Sequence, residues 1–118
     1  MSTASRAKGV RGENELCKTL QSMGYRARRT ASLQAGNYGM GDPDVEVVEL
    51  PMLHIECKRV ERINIEKCMK QSETDALKRM ALPVVMHRTN GADWLVTVRL
   101  EKLHRLCEMV MDARYAQS

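Results

Sequence analysis

Aromatic residues are scarce in this chain of 118 residues, which contains no phenylalanine, one tryptophan and three tyrosines. Proteins that bind single-stranded nucleic acid usually stack the bases on several aromatic rings. The chain has too few rings for stacking to be its main mode of binding. We therefore expect any contact with nucleic acid to be made through phosphate groups.

The four cysteines lack the spacing of a metal or redox motif. They form no C-x-x-C pair, and no histidine stands at zinc-finger distance from them. Each cysteine falls in an apolar or strand segment, which favours reduced, mostly buried thiols and a cytoplasmic protein. The four residues are Cys17, Cys57, Cys68 and Cys107.

Long apolar segments are also missing from the sequence. No run approaches the length of a membrane span, so we expect no association with a membrane. The opening segment MSTASRAKG has no apolar core, and it is therefore not expected to act as a secretion signal. We predict a flexible basic tail over residues 1–9, followed by a single domain over residues 10–118.

The positive charge is concentrated in the N-terminal third of the chain. The formal net charge is +4, and residues 1–43 contain seven lysines and arginines but only three acidic residues. The remainder of the chain is neutral. A basic surface beside acidic residues suits a polyanion held against a metal site, although an ordinary solvated surface is an equally good interpretation.

Helical and strand patterns alternate along the chain, which predicts a mixed α/β domain with the order α-β-β-β-α-β-β-α. The predicted elements are helices over 10–23, 64–80 and from Leu100 onward, and strands over 25–32, 45–50, 53–58, 82–87 and 94–98. The segment 34–43 contains three glycines and a proline, which indicates a turn or mobile loop. Pro51 and Met52 separate the second and third strands, which are expected to pair as a hairpin.

The first helix carries a carboxylate on its apolar side. Leu16, Cys17 and Leu20 recur at helical spacing, and Glu13 precedes them by three and four residues. Glu13 therefore continues the apolar stripe. A carboxylate on the inward edge of a helix is costly unless another group pairs with it.

Asp44, Glu56 and Lys58 form the most informative constellation. Glu56 and Lys58 share one face of a strand because side chains alternate along it, and Asp44 opens the neighbouring strand. Two converging carboxylates repel each other unless a cation lies between them, and Mg²⁺ prefers such oxygen ligands. A lysine beside that cation can orient a water molecule or stabilise a phosphorane-like transition state, which suits phosphodiester hydrolysis. The alternative is that Glu56 and Lys58 are ordinary charges on a solvated strand.

The pattern Pro43-Asp44…Glu56-Cys57-Lys58 resembles the motif of the PD-(D/E)xK nuclease superfamily. The segment from Lys8 to Leu16, KGVRGENEL, resembles the opening of archaeal-type Holliday junction resolvases. Arg29-Thr30-Ala31-Ser32 and Leu82-Pro83-Val84-Val85 resemble further segments of that family. The resemblance covers residues 8–99 in the right order. It implies a restriction-endonuclease-like fold, in which helices flank a central mixed sheet.

The resemblance also assigns roles to residues. Asp44 and Glu56 are expected to bind Mg²⁺, with Mn²⁺ as an alternative ion, and the backbone carbonyl of Cys57 is implied as a further ligand. Lys58 is expected to be the catalytic lysine, and Glu13 is implied as a supporting carboxylate. Gln71 resembles a glutamine that orients the lysine or the water in many superfamily members, although a surface glutamine is nearly as good an interpretation.

The remaining polar residues receive simpler predictions. Asp42 is expected to cap its turn rather than bind metal. The three histidines, at positions 54, 87 and 104, show no ligand spacing and are interpreted as structural or surface residues. Candidate phosphate contacts are the basic residues of the N-terminal third that flank the motifs, although a solvated surface explains each equally well. They are Lys8, Arg11, Arg28 and Arg29.

The leading functional hypothesis is a metal-dependent DNA endonuclease that selects branched DNA, as in recombination or repair, and acts as a homodimer. Two active sites are needed for paired cuts, and one short chain offers one. Three alternatives stay open. The first is another small phage or repair nuclease on the same fold that cuts flaps, single strands or duplex. The second is a DNA-binding module without catalysis, and the third is a basic structural protein in which the motif is a coincidence.

Overall fold

The computed structural model describes residues 3–30 and 42–116, with side chains from residue 7 onward. These residues form three helices and five strands. The helices are α1 (Thr3–Ser22), α2 (Ile65–Ala76) and α3 (Leu103–Ala116), and the strands are β1 (Ala27–Arg29), β2 (Val45–Val47), β3 (Leu53–Arg59), β4 (Leu82–Arg88) and β5 (Leu95–Thr97). Short 3₁₀ turns follow α2 at Leu77–Arg79 and precede α3 at Leu100–Lys102.

The five strands form one mixed sheet in the order β1-β2-β3-β4-β5. Strands β1, β2 and β3 pair antiparallel, and β5 pairs antiparallel with β4. Strands β3 and β4 pair parallel over seven residues, with α2 as the crossover between them. This long central pair carries the residues on which the candidate site depends.

Each face of the sheet is covered by helix. On one face the core combines α1 residues Leu16 and Leu20 with Ile55 and Val84 of the central strands, and Ala113 of α3 belongs to the same cluster. On the other face α2 is anchored to β4 by a hydrogen bond of 3.2 Å that Ser72 Oγ donates to the Val84 carbonyl. The polar face of β3 therefore lies beneath α2.

The predicted element order and fold class are confirmed. Helix α1 begins at Thr3 rather than near residue 10. Helix α2 ends at Ala76 rather than near residue 80, and Met80 is exposed in a left-handed conformation. The predicted glycine-rich loop lies almost entirely outside the described residues. The division into a tail over 1–9 and a domain over 10–118 stays a prediction.

The last helix, which the sequence predicts from Leu100 onward, leaves much of its apolar surface exposed. Leu100, Leu103 and Met111 expose 83%, 43% and 54% of their surface, and Cys107 is exposed as well. Only Ala113 of α3 is buried, and Leu106, Met109 and Val110 are half-buried against the core. The prediction of mostly buried thiols is therefore wrong for Cys107, holds for Cys17, and is met partly by the half-buried Cys57 and Cys68.

No helix in the described part of the chain is both long and apolar enough to cross a membrane.

Glycine at position 12 is required by the close packing of α1 on β3. A Cβ at Gly12 would lie 2.7 Å from Arg59 Cβ, whereas a Cβ at Gly9 would meet nothing within 4 Å. We expect Gly12→Ala to lower the free energy of unfolding by about 1–3 kcal/mol, since the helix must shift. The matched change Gly9→Ala should raise it by about 0.5–1 kcal/mol through helix propensity. Urea denaturation measures both, and equal effects would contradict the proposed packing.

Candidate active site

The pairing of β2 with β3 brings two carboxylates together. Val45 lies opposite Ile55 in the antiparallel register, so the preceding residue, Asp44, lies opposite Glu56. A hydrogen bond of 2.9 Å from the Asp44 amide to the Ile55 carbonyl extends the pairing to this position. Val45 and Ile55 point into the core on the α1 side, which leaves Asp44 and Glu56 on the opposite face.

The side chain of Asp44 is held in place by the neighbouring strand. Its Oδ2 accepts a hydrogen bond of 2.9 Å from the backbone amide of Cys57. This bond fixes the carboxylate next to the first residue after Glu56. Only Oδ2 takes part in this bond, which leaves Oδ1 to face another partner.

Burial makes both carboxyl groups weaker acids than usual. Burial raises the pKa of Asp44 to about 6, and the nearby negative charge of Glu13 adds to the effect. Burial also raises the pKa of Glu56 to about 7, with further contributions from the charges of Asp44, Asp75 and Glu13. Two acids that are hard to ionise side by side are a signature of a site built for a cation or for proton transfer.

Lys58 supplies positive charge to the same place. It follows Glu56 by two residues on β3 and therefore projects from the same face of the sheet. Its ammonium lowers the pKa of both Asp44 and Glu56 through charge attraction, against the larger effect of burial. Asp44, Glu56 and Lys58, which the sequence singled out as a set, are thus neighbours in the fold.

Glu13 reaches the site from α1. Its Oε1 accepts a hydrogen bond of 2.9 Å from Arg29 Nε, and both side chains retain 19% of their surface exposure. The inward carboxylate of α1 therefore has the partner that its position requires. The same ion pair places Arg29, a candidate phosphate contact, beside an acid of the site.

Gln71 contacts the site indirectly. Its amide nitrogen donates a hydrogen bond of 2.9 Å to Asp75 Oδ2, one turn further along α2. Asp75 in turn lies with His54 and Glu56 in a group whose ligand atoms are all within 4.8 Å of one another. Asp75 was not singled out from the sequence, and His54 was interpreted as structural; the one available signal was that His54 precedes Glu56 by two residues on the same strand face.

The candidate phosphate contacts are spread over α1 and β1. Lys8 and Arg11 are exposed on α1. Arg28 is also exposed on β1, where its Nε lies 3.6 Å from Glu46 Oε2. Surface ion pairs of this length contribute little to stability.

The donor set fits a divalent cation. Asp44 and Glu56 present carboxylate oxygens on one face, and burial disfavours their negative charges in the absence of a counter-charge. Lys58 provides one positive charge near Asp44 and Glu56. Glu13 and Asp75 add two further negative charges nearby. The local excess of negative charge favours the binding of a hard cation, which prefers oxygen ligands.

The sequence matches the model of the family described as "Phage putative PDDEXK endonuclease" over residues 4–117. The chain therefore belongs to this family, and it is a nuclease of the PDDEXK type. No curated protein matches the sequence. Nucleases of this type use divalent metal ions, in agreement with the acidic groups described above.

Among solved structures, the chain is similar to Hjc of Archaeoglobus fulgidus, a Holliday junction resolvase from an archaeal hyperthermophile. The TM-score is 0.57 and the sequence identity 25%, over 77% of this chain and 72% of that chain. The resemblance to the PD-(D/E)xK superfamily and the restriction-endonuclease-like fold are thereby confirmed.

The raised pKa values of Asp44 and Glu56 predict that the metal-free protein loses stability as the pH rises. Both pKa values lie higher in the folded than in the unfolded chain, so the folded state binds more protons between about pH 4 and 7. We expect the free energy of unfolding in EDTA to fall by on the order of 5 kcal/mol across this range.

Asp44→Asn should flatten this dependence, since the amide keeps an acceptor for Cys57 but carries no charge. Glu108→Gln, at an exposed position on α3, serves as the control and should leave the slope unchanged. Urea denaturation at several pH values measures the effect. If the free energy of unfolding of Asp44→Asn falls with pH as steeply as that of the parent, the Asp44–Glu56 pair does not cause the pH dependence.

Proposed function

We propose that this PDDEXK nuclease is a Mg²⁺-dependent DNA endonuclease that prefers branched DNA such as a four-way junction. The observation that carries the proposal is the pair of half-buried, opposed carboxylates, Asp44 and Glu56, with Lys58 beside them. The similarity to a Holliday junction resolvase supports the substrate class.

Each residue has a defined task in this proposal. Asp44 and Glu56 would hold the metal ion, with the Cys57 carbonyl as a further ligand, and the ion would supply Lewis acidity toward the scissile phosphate. Lys58 places its ammonium where negative charge develops on the phosphate, and it orients the attacking water. Glu13 supports the site from α1 while Arg29 balances its charge.

Gln71 is a positioning residue in this scheme. Its hydrogen bond to Asp75 fixes a carboxylate that faces Glu56, so Gln71 acts on the site through Asp75. Lys8, Arg11 and Arg28 are proposed to contact DNA phosphates, and Arg29 is proposed to do so from its place beside Glu13. Such contacts position the duplex without reading its sequence.

Lys58→Ala tests the catalytic assignment. A labelled four-way junction is incubated with Mg²⁺ or with EDTA, beside duplex, flap and single-stranded controls. We expect metal-dependent cleavage of the junction, and a loss of at least about 100-fold in rate for Lys58→Ala because the group that stabilises the transition-state charge is removed. Lys18→Ala, at an exposed position on α1, should cleave like the parent.

The control substrates separate the alternatives. Cleavage of flaps, single strands or duplex at the same rate as the junction would keep the nuclease and discard the preference for branched DNA. Binding of DNA without cleavage in Mg²⁺ or Mn²⁺ would favour a binding module.

We also propose that the nuclease acts as a homodimer. Strand β5 is an edge of the sheet, and its Leu95 and Val96 expose 61% and 52% of their surface. The apolar residues Leu100, Leu103 and Met111 are exposed in the elements that follow directly. Exposed apolar surface beside a strand edge favours association with a second copy, which would supply the second active site for paired cuts.

Leu100→Glu is expected to weaken the dimer at least tenfold, because it places a charge within this apolar surface. Leu77→Glu is the matched control, since Leu77 also lies exposed in a 3₁₀ turn but at the end of α2. Sedimentation over a range of concentrations measures the association. A monomeric parent, or equal effects of the two changes, would contradict the proposed dimer surface.

A further inference from the structure

The imidazole of His54 is buried without a hydrogen-bond partner. The residue exposes 1% of its surface, and neither Nδ1 nor Nε2 has a partner among the described residues. Buried polar atoms are nearly always satisfied, and a side chain with two orphaned nitrogens calls for a specific explanation. Packing alone does not provide one, because an apolar side chain would fill the same space without the desolvation cost.

Two carboxylates lie next to this ring. Glu56 follows His54 by two residues on the same face of β3, and Asp75 approaches from α2 above that face. The ligand atoms of the three residues all lie within 4.8 Å of one another. Asp75 is also held from outside by Gln71, as ligand carboxylates in metal sites commonly are.

The chemistry of the three groups points to a transition metal. An imidazole nitrogen combined with carboxylate oxygens suits Zn²⁺ and related ions, whereas Mg²⁺ prefers oxygen ligands alone. With ligand bonds of about 2.0–2.2 Å in a tetrahedral arrangement, ligand atoms around Zn²⁺ lie about 3.3–3.6 Å apart. The three ligand atoms, which lie within 4.8 Å of one another, therefore reach this spacing once side-chain rotations bring them up to about 1.5 Å closer. Three protein ligands leave a fourth position open for water.

The group differs from the carboxylate pair of the proposed catalytic site. It shares Glu56 with that pair, but Asp44 and Lys58 are replaced by His54 and Asp75. His54 also lines a cavity of about 200 Å³ together with Pro43 and Glu46, whereas Lys58 does not line it. The cavity places open space next to the buried ring.

We propose that His54, Glu56 and Asp75 form a binding site for a divalent transition metal ion of the Zn²⁺ class, adjoining the Asp44–Glu56 pair. This proposal depends on the proposed function in one respect only, because Glu56 is a ligand both here and in the proposed catalytic metal site. A bound ion would satisfy the His54 ring and at the same time offset the negative charges of the half-buried Glu56 and Asp75.

Zn²⁺ binding to the purified full chain tests the proposal. Melting temperature and calorimetric titration are measured with Zn²⁺ and, separately, with Mg²⁺. The parent carries Cys107→Ser, because the exposed Cys107 thiol could bind Zn²⁺ by itself. We expect one Zn²⁺ per chain, accompanied by a rise in melting temperature.

His54→Phe is the central variant, because it keeps a ring of similar size and removes both nitrogens. The metal-free variant should melt at or above the temperature of the parent, since two orphaned polar atoms disappear. Its Zn²⁺ affinity should fall at least about tenfold, and Asp75→Asn should lower the affinity in the same way. The response to Mg²⁺ should not change in His54→Phe.

Asp44→Asn separates this site from the proposed function. It removes a ligand of the proposed catalytic metal alone, so its Zn²⁺ response should persist while junction cleavage is lost. Equal Zn²⁺ affinities for His54→Phe and the parent, or no Zn²⁺ binding by the parent, would overturn the proposed site. Failure of the parent to cleave DNA, with a His54-dependent Zn²⁺ response intact, would count against the nuclease proposal and support the metal site.

Discussion

The repulsion between two half-buried carboxylates is the constraint on which the site depends. Asp44 and Glu56 are brought opposite each other by the β2–β3 pairing, and the Cys57 amide locks Asp44 in that position. A sheet built only for stability would place apolar side chains at this point. The fold instead keeps two acids whose pKa values burial raises to about 6 and 7. Such an arrangement stores a free-energy cost that a bound cation removes.

The surrounding elements hold these acids from two directions. Helix α1 approaches β3 closely at Gly12, which allows Glu13 to reach the site while Arg29 pairs with it. Helix α2 covers the polar face and contributes Asp75, which Gln71 orients. The parallel pairing of β3 with β4 requires a crossover helix, so the same topological rule that orders the sheet also places α2 above Glu56.

Local patterns in the sequence were sufficient for the element order and for the meeting of Asp44 with Glu56 and Lys58. Alternation along β3 and the hairpin at Pro51 fix these positions within fifteen residues of chain. Contacts between distant elements leave no such pattern, which is why Asp75 was missed and His54 was interpreted as structural. The exposure of α3 was also missed, because an apolar stripe does not reveal whether it packs on its own core or on a second chain.

Glu56 connects the two metal sites proposed for this protein. A carboxylate has two oxygens and can face an ion on either side, but its single charge cannot fully compensate two divalent ions. Asp44 and Lys58 interact electrostatically with Glu56, and the ligand atoms of His54 and Asp75 lie within 4.8 Å of its carboxylate. The nitrogen ligand gives the His54 site a preference for transition metals that the Asp44–Glu56 pair lacks. The identity of the bound ion would therefore decide which of the two metal sites Glu56 contributes to. A metal ion in the His54 site would thereby affect whether the Asp44–Glu56 pair can bind its own ion.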